Sequence, residues 1–161
     1  MDKNGLALEP VIKRVQVGRS IDDAFFLFTR DMGSWWPLET HSIAVDTHER
    51  KVVAKGIIFD PNAGGHIYES MSDGTHATWG EVLVWEPPDR VAFTWKPNLS
   101  DGPHTKIEVR FTIVAGGTEV ELEHRGWEHF GDDAAARRKD YDAGWPGVLK
   151  MFADAADHRR A

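Results

Sequence analysis

The sequence has no cysteine among its 161 residues. Disulfides and thiolate chemistry are therefore excluded, and a structural zinc site would have to use histidines and carboxylates alone. Residues 1–10 also lack the basic and apolar regions of a signal peptide, and no apolar run approaches the ~20 residues that a membrane-spanning helix needs. These absences predict a cytoplasmic protein.

Clusters of positive charge are missing as well. The 19 Lys and Arg residues are dispersed and are outnumbered by 26 Asp and Glu, which gives a net charge of -7. Such a field repels phosphate backbones and anionic lipid surfaces, so neither nucleic acid nor a membrane is expected as a partner. The length predicts one domain over residues 1–161, with its core over about 11–156.

The pattern of apolar residues predicts an α+β order. Alternation over Val11 to Val17 predicts a first strand, and Ser20 is a good N-cap for a short helix over Ile21 to Thr29. After Trp127 the period changes, and a long amphipathic helix is predicted, weakened near its middle by Gly144 and Pro146. Between these helices, from Ser42 to His124, five turn signals separate strands: Pro61–Gly65, Ser72–Gly74, Glu86–Asp89, Ser100–Pro103 and Ala115–Gly117.

The last strands alternate cleanly, which predicts a sheet with one dry and one wet face. Around Trp79 to Trp85 both parities are apolar, and Gly80 is a candidate β-bulge. The predicted dry face carries Val91, Phe93, Trp95, Ile107, Val109, Phe111, Ile113, Val120 and Leu122. The predicted wet face carries Lys106, Glu108, Arg110, Glu119, Glu121 and Glu123.

Seven short sequence motifs, in order along the chain, resemble those of a known family. They are Gly33-Ser-Trp-Trp-Pro-Leu with Thr40-His-Ser, Gly64-Gly-x-x-x-Glu69, Trp79-Gly-Glu-Val, Trp85-Glu-Pro-Pro-x-Arg90, Phe93-Thr-Trp, Glu123-His-Arg-Gly-Trp and Tyr141-x-x-Gly-Trp. With them the chain resembles the bacterial single-domain SRPBCC (START-like) proteins homologous to the activator of the heat-shock-protein-90 ATPase. The match runs from about Val11 to Phe152.

The resemblance implies an α+β helix-grip fold, like that of the START domains and the birch pollen allergen. In this fold a curved antiparallel sheet wraps around a long C-terminal helix and leaves an internal cavity. The superfamily holds lipid carriers, hormone receptors and polyketide cyclases, so the resemblance implies no single activity. The eukaryotic co-chaperones of this group carry an additional N-terminal domain that binds the chaperone, and no part of this sequence corresponds to it.

The titratable residues near the expected cavity give weak catalytic candidates. His124 lies on the predicted dry face of the sheet. There it is either a polar anchor or general base in the cavity, or a core histidine whose hydrogen bonds are satisfied by backbone groups. Glu69 and Glu81 lie where an acid or base could work, but Arg90 and Arg125 could equally pair with them. His41 and His66 could join His124 as metal ligands, but no pair of these histidines has the spacing of a metal-binding motif. Neither a metal nor a cofactor is therefore expected.

The aromatic residues are the stronger candidates, because small-molecule clefts are mostly aromatic and apolar. Three hypotheses remain open: a protein that binds a small hydrophobic molecule, a cyclase- or hydrolase-like enzyme using His124 with Glu69 or Glu81, and an interaction module or homodimer. The last would use an exposed aromatic loop around Trp35 and Trp36. The predicted ligand-binding residues are Trp35, Trp36, His41, Trp79, Trp95, His124, Tyr141 and Trp145.

Overall fold

The computed structural model describes residues 8–37, 54–95 and 104–158. The predicted turn at Ser100–Pro103 and the predicted site residue His41 lie outside these ranges. The helices are α1 (Ile21–Phe28) and α2 (Ala134–His158), with short 3-10 helices at Met32–Ser34 and Trp127–Asp133. The strands are β1 (Val11–Val17), β2 (Ala54–Phe59), β3 (His66–Met71), β4 (His76–Glu86), β5 (Arg90–Trp95), β6 (Thr105–Val114) and β7 (Gly117–Arg125).

The strands form one antiparallel sheet in the order β1-β7-β6-β5-β4-β3-β2. Strands β2 to β7 follow one another as hairpins, and β1 joins the far edge by pairing with β7. The sheet curls into a half-barrel around the long C-terminal helix α2, which is the predicted helix-grip fold. None of the described helices is both long and apolar enough to cross a membrane.

Capping residues set the ends of α1, and the spacing of apolar residues sets the buried face of α2. The Ser20 hydroxyl caps α1 by accepting the backbone N–H of Asp23 at 3.2 Å. The predicted final residue of α1, Thr29, is its C-cap and not part of the helix. Helix α2 continues through Pro146, and its buried stripe recurs at three- and four-residue steps. This stripe consists of Trp145, Val148, Leu149, Phe152 and Ala156.

The predicted faces of the last strands are confirmed with two exceptions. Ile113 was expected inside but is 71% exposed, because it lies at the end of β6 beside the turn to β7. Glu108 was expected on the wet face but is only 3% exposed, because the guanidinium groups of Arg90, Arg110 and Arg125 cover it. Burial alone would raise the pKa of Glu108, but the hydrogen bond from Arg90 and the charges of Arg110, Arg90 and Arg125 outweigh it and lower the pKa.

The predicted bulge at Gly80 is present. The pairing of β3 with β4 shifts register between Ile67, opposite Gly80, and Tyr68, opposite Thr78. A Cβ atom on Gly80 would lie 1.8 Å from the carbonyl oxygen of Thr94, so only glycine fits this close approach. The bulge brings Trp79 and Gly80 into the interior side by side.

Candidate ligand-binding site

Two groups of aromatic rings lie between the sheet and the helices. The first, which we call the phenylalanine end, lies by α1 and consists of Phe25, Phe28, Trp35, Trp85, Phe111 and Phe152. The second, which we call the tryptophan end, consists of Trp36, Trp79, Trp95, Trp127, Tyr141 and Trp145 around His124. The two groups meet where Trp35 and Trp36 approach to 5.9 Å between ring centroids.

Trp36 lies at the centre of the tryptophan end. Its ring centroid is 5.2 Å from Trp79, 5.8 Å from Trp95 and 6.2 Å from Trp145, each in a tilted or edge-on arrangement. These separations are within the range in which aromatic pairs attract one another. The four rings come from the loop after α1, from β4, from β5 and from α2, so the cluster ties the sheet to the helix.

The indole N–H groups of the tryptophan end do not point to backbone alone. Three of them donate to titratable side chains, which places a polar atom beside each ring. These bonds are Trp79 Nε1 to Glu69 Oε1 at 2.8 Å, Trp95 Nε1 to the Tyr141 hydroxyl at 3.2 Å, and Trp145 Nε1 to His124 Nδ1 at 3.0 Å.

His124 is completely buried, and its hydrogen bonds fix its tautomer. Because Trp145 donates to Nδ1, the proton of the neutral ring sits on Nε2, which donates to Thr105 Oγ1 at 2.6 Å. Thr105 in turn donates to the carbonyl of Trp95 at 3.3 Å. Burial lowers the pKa of His124 to about 3, so the ring is neutral at physiological pH. Both ring nitrogens are therefore occupied, and His124 orders the site without offering a free base.

The two carboxylates predicted beside the cavity separate. Glu69 is fully buried on the inner side of β3, whereas Glu81 is exposed on β4. Glu81 therefore does not join a catalytic group, and His124 does not bond to either carboxylate. Arg90 and Arg125, the alternative partners considered for these carboxylates, both bind Glu108 instead.

The aromatic loop that the interaction-module hypothesis required on the surface is buried. Trp35 is 4% exposed and Trp36 8%. The 3-10 helix at Met32–Ser34 turns the chain inward, with the Trp36 N–H bonded to the Met32 carbonyl at 3.0 Å and the Trp35 indole to the Leu27 carbonyl at 2.8 Å. The interaction-module hypothesis thereby loses the exposed patch that motivated it.

Apart from His41, which lies outside the described ranges, the ligand-binding residues predicted from the sequence lie close together. Trp36, Trp79, Trp95, Tyr141, Trp145 and His124 all belong to the tryptophan end, and Trp35 borders it. Thr105 was missed, although its dry parity with Ile107 at the start of β6 could have indicated a buried hydroxyl that needs partners. Within the described ranges no three His, Asp or Glu side chains gather closely enough to hold a metal ion.

A curled antiparallel sheet gripping a C-terminal helix around an aromatic interior defines the helix-grip class. Residues 24–157 match the model of a family described as Activator of Hsp90 ATPase homolog 1-like protein. The chain belongs to this family. No match was found among the curated proteins.

Solved structures of similar fold include one with substantial sequence identity. It is an anthrahydroquino-Gama-pyrone synthase, Txn09, complexed with SUM; identity is 34% over 96% of this chain and 99% of that chain, with a TM-score of 0.60. Protein MLL2253 from Mesorhizobium loti is 18% identical over 94% of this chain and 99% of its own, with a TM-score of 0.65. DynU16, from the dynemicin biosynthetic locus, is 20% identical over 91% of this chain and 46% of its own, with a TM-score of 0.62. The last two are similar in fold alone.

Proposed function

We propose that this protein binds a flat, oxygen-bearing polycyclic aromatic molecule of the anthrahydroquinone or pyrone kind at the tryptophan end. The observation that carries the proposal is the 34% identity, over nearly the full length of both chains, to a synthase that makes such a product. The sequence predicted only a small hydrophobic ligand, and the product of this synthase narrows that prediction to planar aromatic rings.

The chemistry of the tryptophan end supports a planar aromatic ligand. Indole faces stack on flat rings, and the side chains of Glu69 and Tyr141 among them can hydrogen-bond ring substituents. The neutral His124 adds no positive charge to the site. Arg90, Arg110 and Arg125 lie on the other face of the sheet, bonded to Glu108.

A second function, ring-closing catalysis on the same ligand, is favoured by one feature. Glu69 is a fully buried carboxyl held by the indole of Trp79, and a carboxyl in such a position is suited to proton transfer. His124 is not free for this role because Trp145 and Thr105 occupy its ring nitrogens. Glu69 is therefore the remaining candidate for the catalytic acid or base of a cyclase-like enzyme.

Binding is tested by native mass spectrometry of the purified protein and by thermal shift with three probes: anthraquinone-2-sulfonate, cholesterol and palmitate. We expect the anthraquinone alone to stabilise the fold, by about 2.7 kcal/mol when its concentration is a hundred times Kd. Equal stabilisation by palmitate, or none by the anthraquinone, would remove the basis of the proposal.

A matched pair of variants locates the site. Trp36→Leu removes a ring from the tryptophan end, whereas Trp85→Leu removes one that packs on Phe25 and Phe59 at the other end. We expect affinity for the anthraquinone to fall about tenfold in the first variant, since stacking on one ring contributes about 1.4 kcal/mol. In the second variant it should change less than twofold.

Catalysis is tested with an anthrahydroquinone that carries an uncyclised side chain, followed by mass spectrometry for the ring-closed product. If Glu69 transfers the proton, Glu69→Gln should abolish turnover while the affinity for anthraquinone-2-sulfonate stays within about threefold. Turnover that survives this substitution would exclude the role of Glu69. Absence of turnover in the unmodified protein would leave binding as its function.

A further inference from the structure

Tyr141 is the ring of the tryptophan end that solvent reaches. Its side chain is partly exposed, whereas the rings in contact with it, His124, Trp127 and Trp145, are buried. Tyr141 lies on α2 one turn before Trp145, so it sits at the border between the buried cluster and the outside. A ligand that enters the cluster from this side meets Tyr141 first.

The hydrogen bonds of Tyr141 leave one donor unused. A phenol hydroxyl accepts through its oxygen and donates through its own hydrogen. The Trp95 indole donates to the oxygen at 3.2 Å, which uses its acceptor capacity and leaves the hydrogen without an acceptor in the described part of the chain. The nearby indole donors cannot serve as that acceptor, because an indole N–H only donates.

The position of this hydroxyl is fixed by its neighbours. The Tyr141 ring lies 4.8 Å from His124 and 5.5 Å from Trp127 between centroids, and the Trp95 bond holds its oxygen. Burial raises the pKa of Tyr141 above its usual value of 10, so its hydroxyl keeps its proton at physiological pH. A held, protonated hydroxyl is a donor that pays little entropy when it binds an acceptor.

We propose that the Tyr141 hydroxyl, held by the Trp95 indole, donates a hydrogen bond to a carbonyl or quinone oxygen of the bound aromatic molecule. This inference rests on the proposed function of the same site. It makes Tyr141 the residue that distinguishes oxygen-bearing rings from plain aromatic hydrocarbons, since the tryptophan faces stack on both equally.

The experiment compares two probes that share a sulfonate and three fused rings: anthraquinone-2-sulfonate, which has the quinone oxygens, and anthracene-2-sulfonate, which lacks them. Their dissociation constants are measured by calorimetry for the unmodified protein and for Tyr141→Phe, which keeps the ring. The matched control is Tyr68→Phe. Tyr68 is the other of the two tyrosines and stacks on His76 with a centroid distance of 4.8 Å, on the opposite parity of β3 from Glu69.

We expect the unmodified protein and Tyr68→Phe to bind the quinone about fivefold more tightly than the hydrocarbon, the value of one neutral hydrogen bond. In Tyr141→Phe this preference should disappear. A merely structural role for Tyr141 would weaken both probes together and leave their ratio unchanged, and that result would overturn the inference.

Two other outcomes separate the inference from the proposed function. If both probes bind the unmodified protein equally well, the role of Tyr141 is overturned while aromatic binding stands. If neither probe binds, the proposed function is overturned and the inference with it.

Discussion

The two ends of the interior are built from similar rings but treat polar groups differently. At the phenylalanine end, the four phenylalanine rings carry no polar atom, and the Trp35 indole donates to the backbone carbonyl of Leu27. At the tryptophan end, three indoles donate instead to the side chains of Glu69, Tyr141 and His124. A backbone carbonyl can accept an indole N–H without burying a further polar side chain. The use of buried side chains as acceptors at the tryptophan end therefore needs an explanation.

The difference separates stability from function. The phenylalanine end joins α1, β6 and α2 and contributes what any close-packed core contributes. The tryptophan end adds buried polar groups, whose desolvation must be offset by good hydrogen bonds. Real proteins accept that cost most often where a ligand is bound, and this contrast supports placing the site there.

The largest effect is expected at the phenylalanine end. Phe152 is fully buried between Phe28 and Trp35, at centroid distances of 5.3 and 5.2 Å. Phe152→Ala should lower the free energy of unfolding by about 4 kcal/mol, measured by urea denaturation, because it opens a cavity in a packed core. The milder Phe152→Leu should leave the affinity for anthraquinone-2-sulfonate within about twofold. A tenfold loss of affinity would erase the distinction between the ends.

The second effect is a dependence of stability on pH that comes from the tryptophan end. The pKa of His124 is about 3 in the folded chain against an ordinary value of 6.5, because the ring is buried. Between these values the unfolded chain binds a proton that the folded chain does not, so the stability present above pH 6.5 is lost as the pH falls towards 3. From pH 6 to pH 4 this loss is at most about 2.5 kcal/mol.

His124→Gln measures the contribution of this residue against the other seven histidines, since the chain has eight in all. The difference in unfolding free energy between the unmodified protein and this variant should shrink by about 2.5 kcal/mol between pH 6 and pH 4. The same substitution at the exposed His66 is the control for the exchange of a histidine for glutamine elsewhere in the chain. A constant difference for His124→Gln would mean that His124 is not held neutral in the folded state.

The smallest effect compares one indole bond from each end. Trp79→Phe removes the donor to the buried Glu69 and should cost about 2 kcal/mol, whereas Trp35→Phe removes a bond to a backbone carbonyl and should cost about 1 kcal/mol. A double-mutant cycle of Trp79→Phe with Glu69→Met should show a coupling of about 1 kcal/mol or more. Coupling near zero would show that the Trp79–Glu69 bond adds nothing to stability.

Much of the fold could be predicted from the sequence because its signals are local. Alternation over Val11–Val17 and the Ser20 cap predicted β1 and the start of α1, and the bulge at Gly80 followed from apolar residues on both parities. Ile113 shows the limit of such signals, because alternation gives the face of a strand but not where cover by other elements ends.

The candidate site was predictable as a set of residues but not as a set of bonds. Aromatic content and parity gave the rings, and the dry position of His124 indicated that it needs a partner. Its partners Thr105 and Trp145 come from β6 and α2, so only the tertiary arrangement brings them together. The same is true of Trp36: its Gly- and Pro-containing surroundings predicted a loop or irregular turn, but only the structure shows that a 3-10 turn directs the ring inward.

The most direct test of the proposed site is to follow the indole N–H signals of the seven tryptophans in a nitrogen-15 NMR titration with anthraquinone-2-sulfonate. Each tryptophan gives one such signal, so the spectrum reports separately on the two ends. Binding at the proposed site should shift the signals of Trp36, Trp79, Trp95 and Trp145 in a saturable way and leave that of Trp85 in place. Shifts confined to Trp85, or no saturable shift at any indole, would contradict the account.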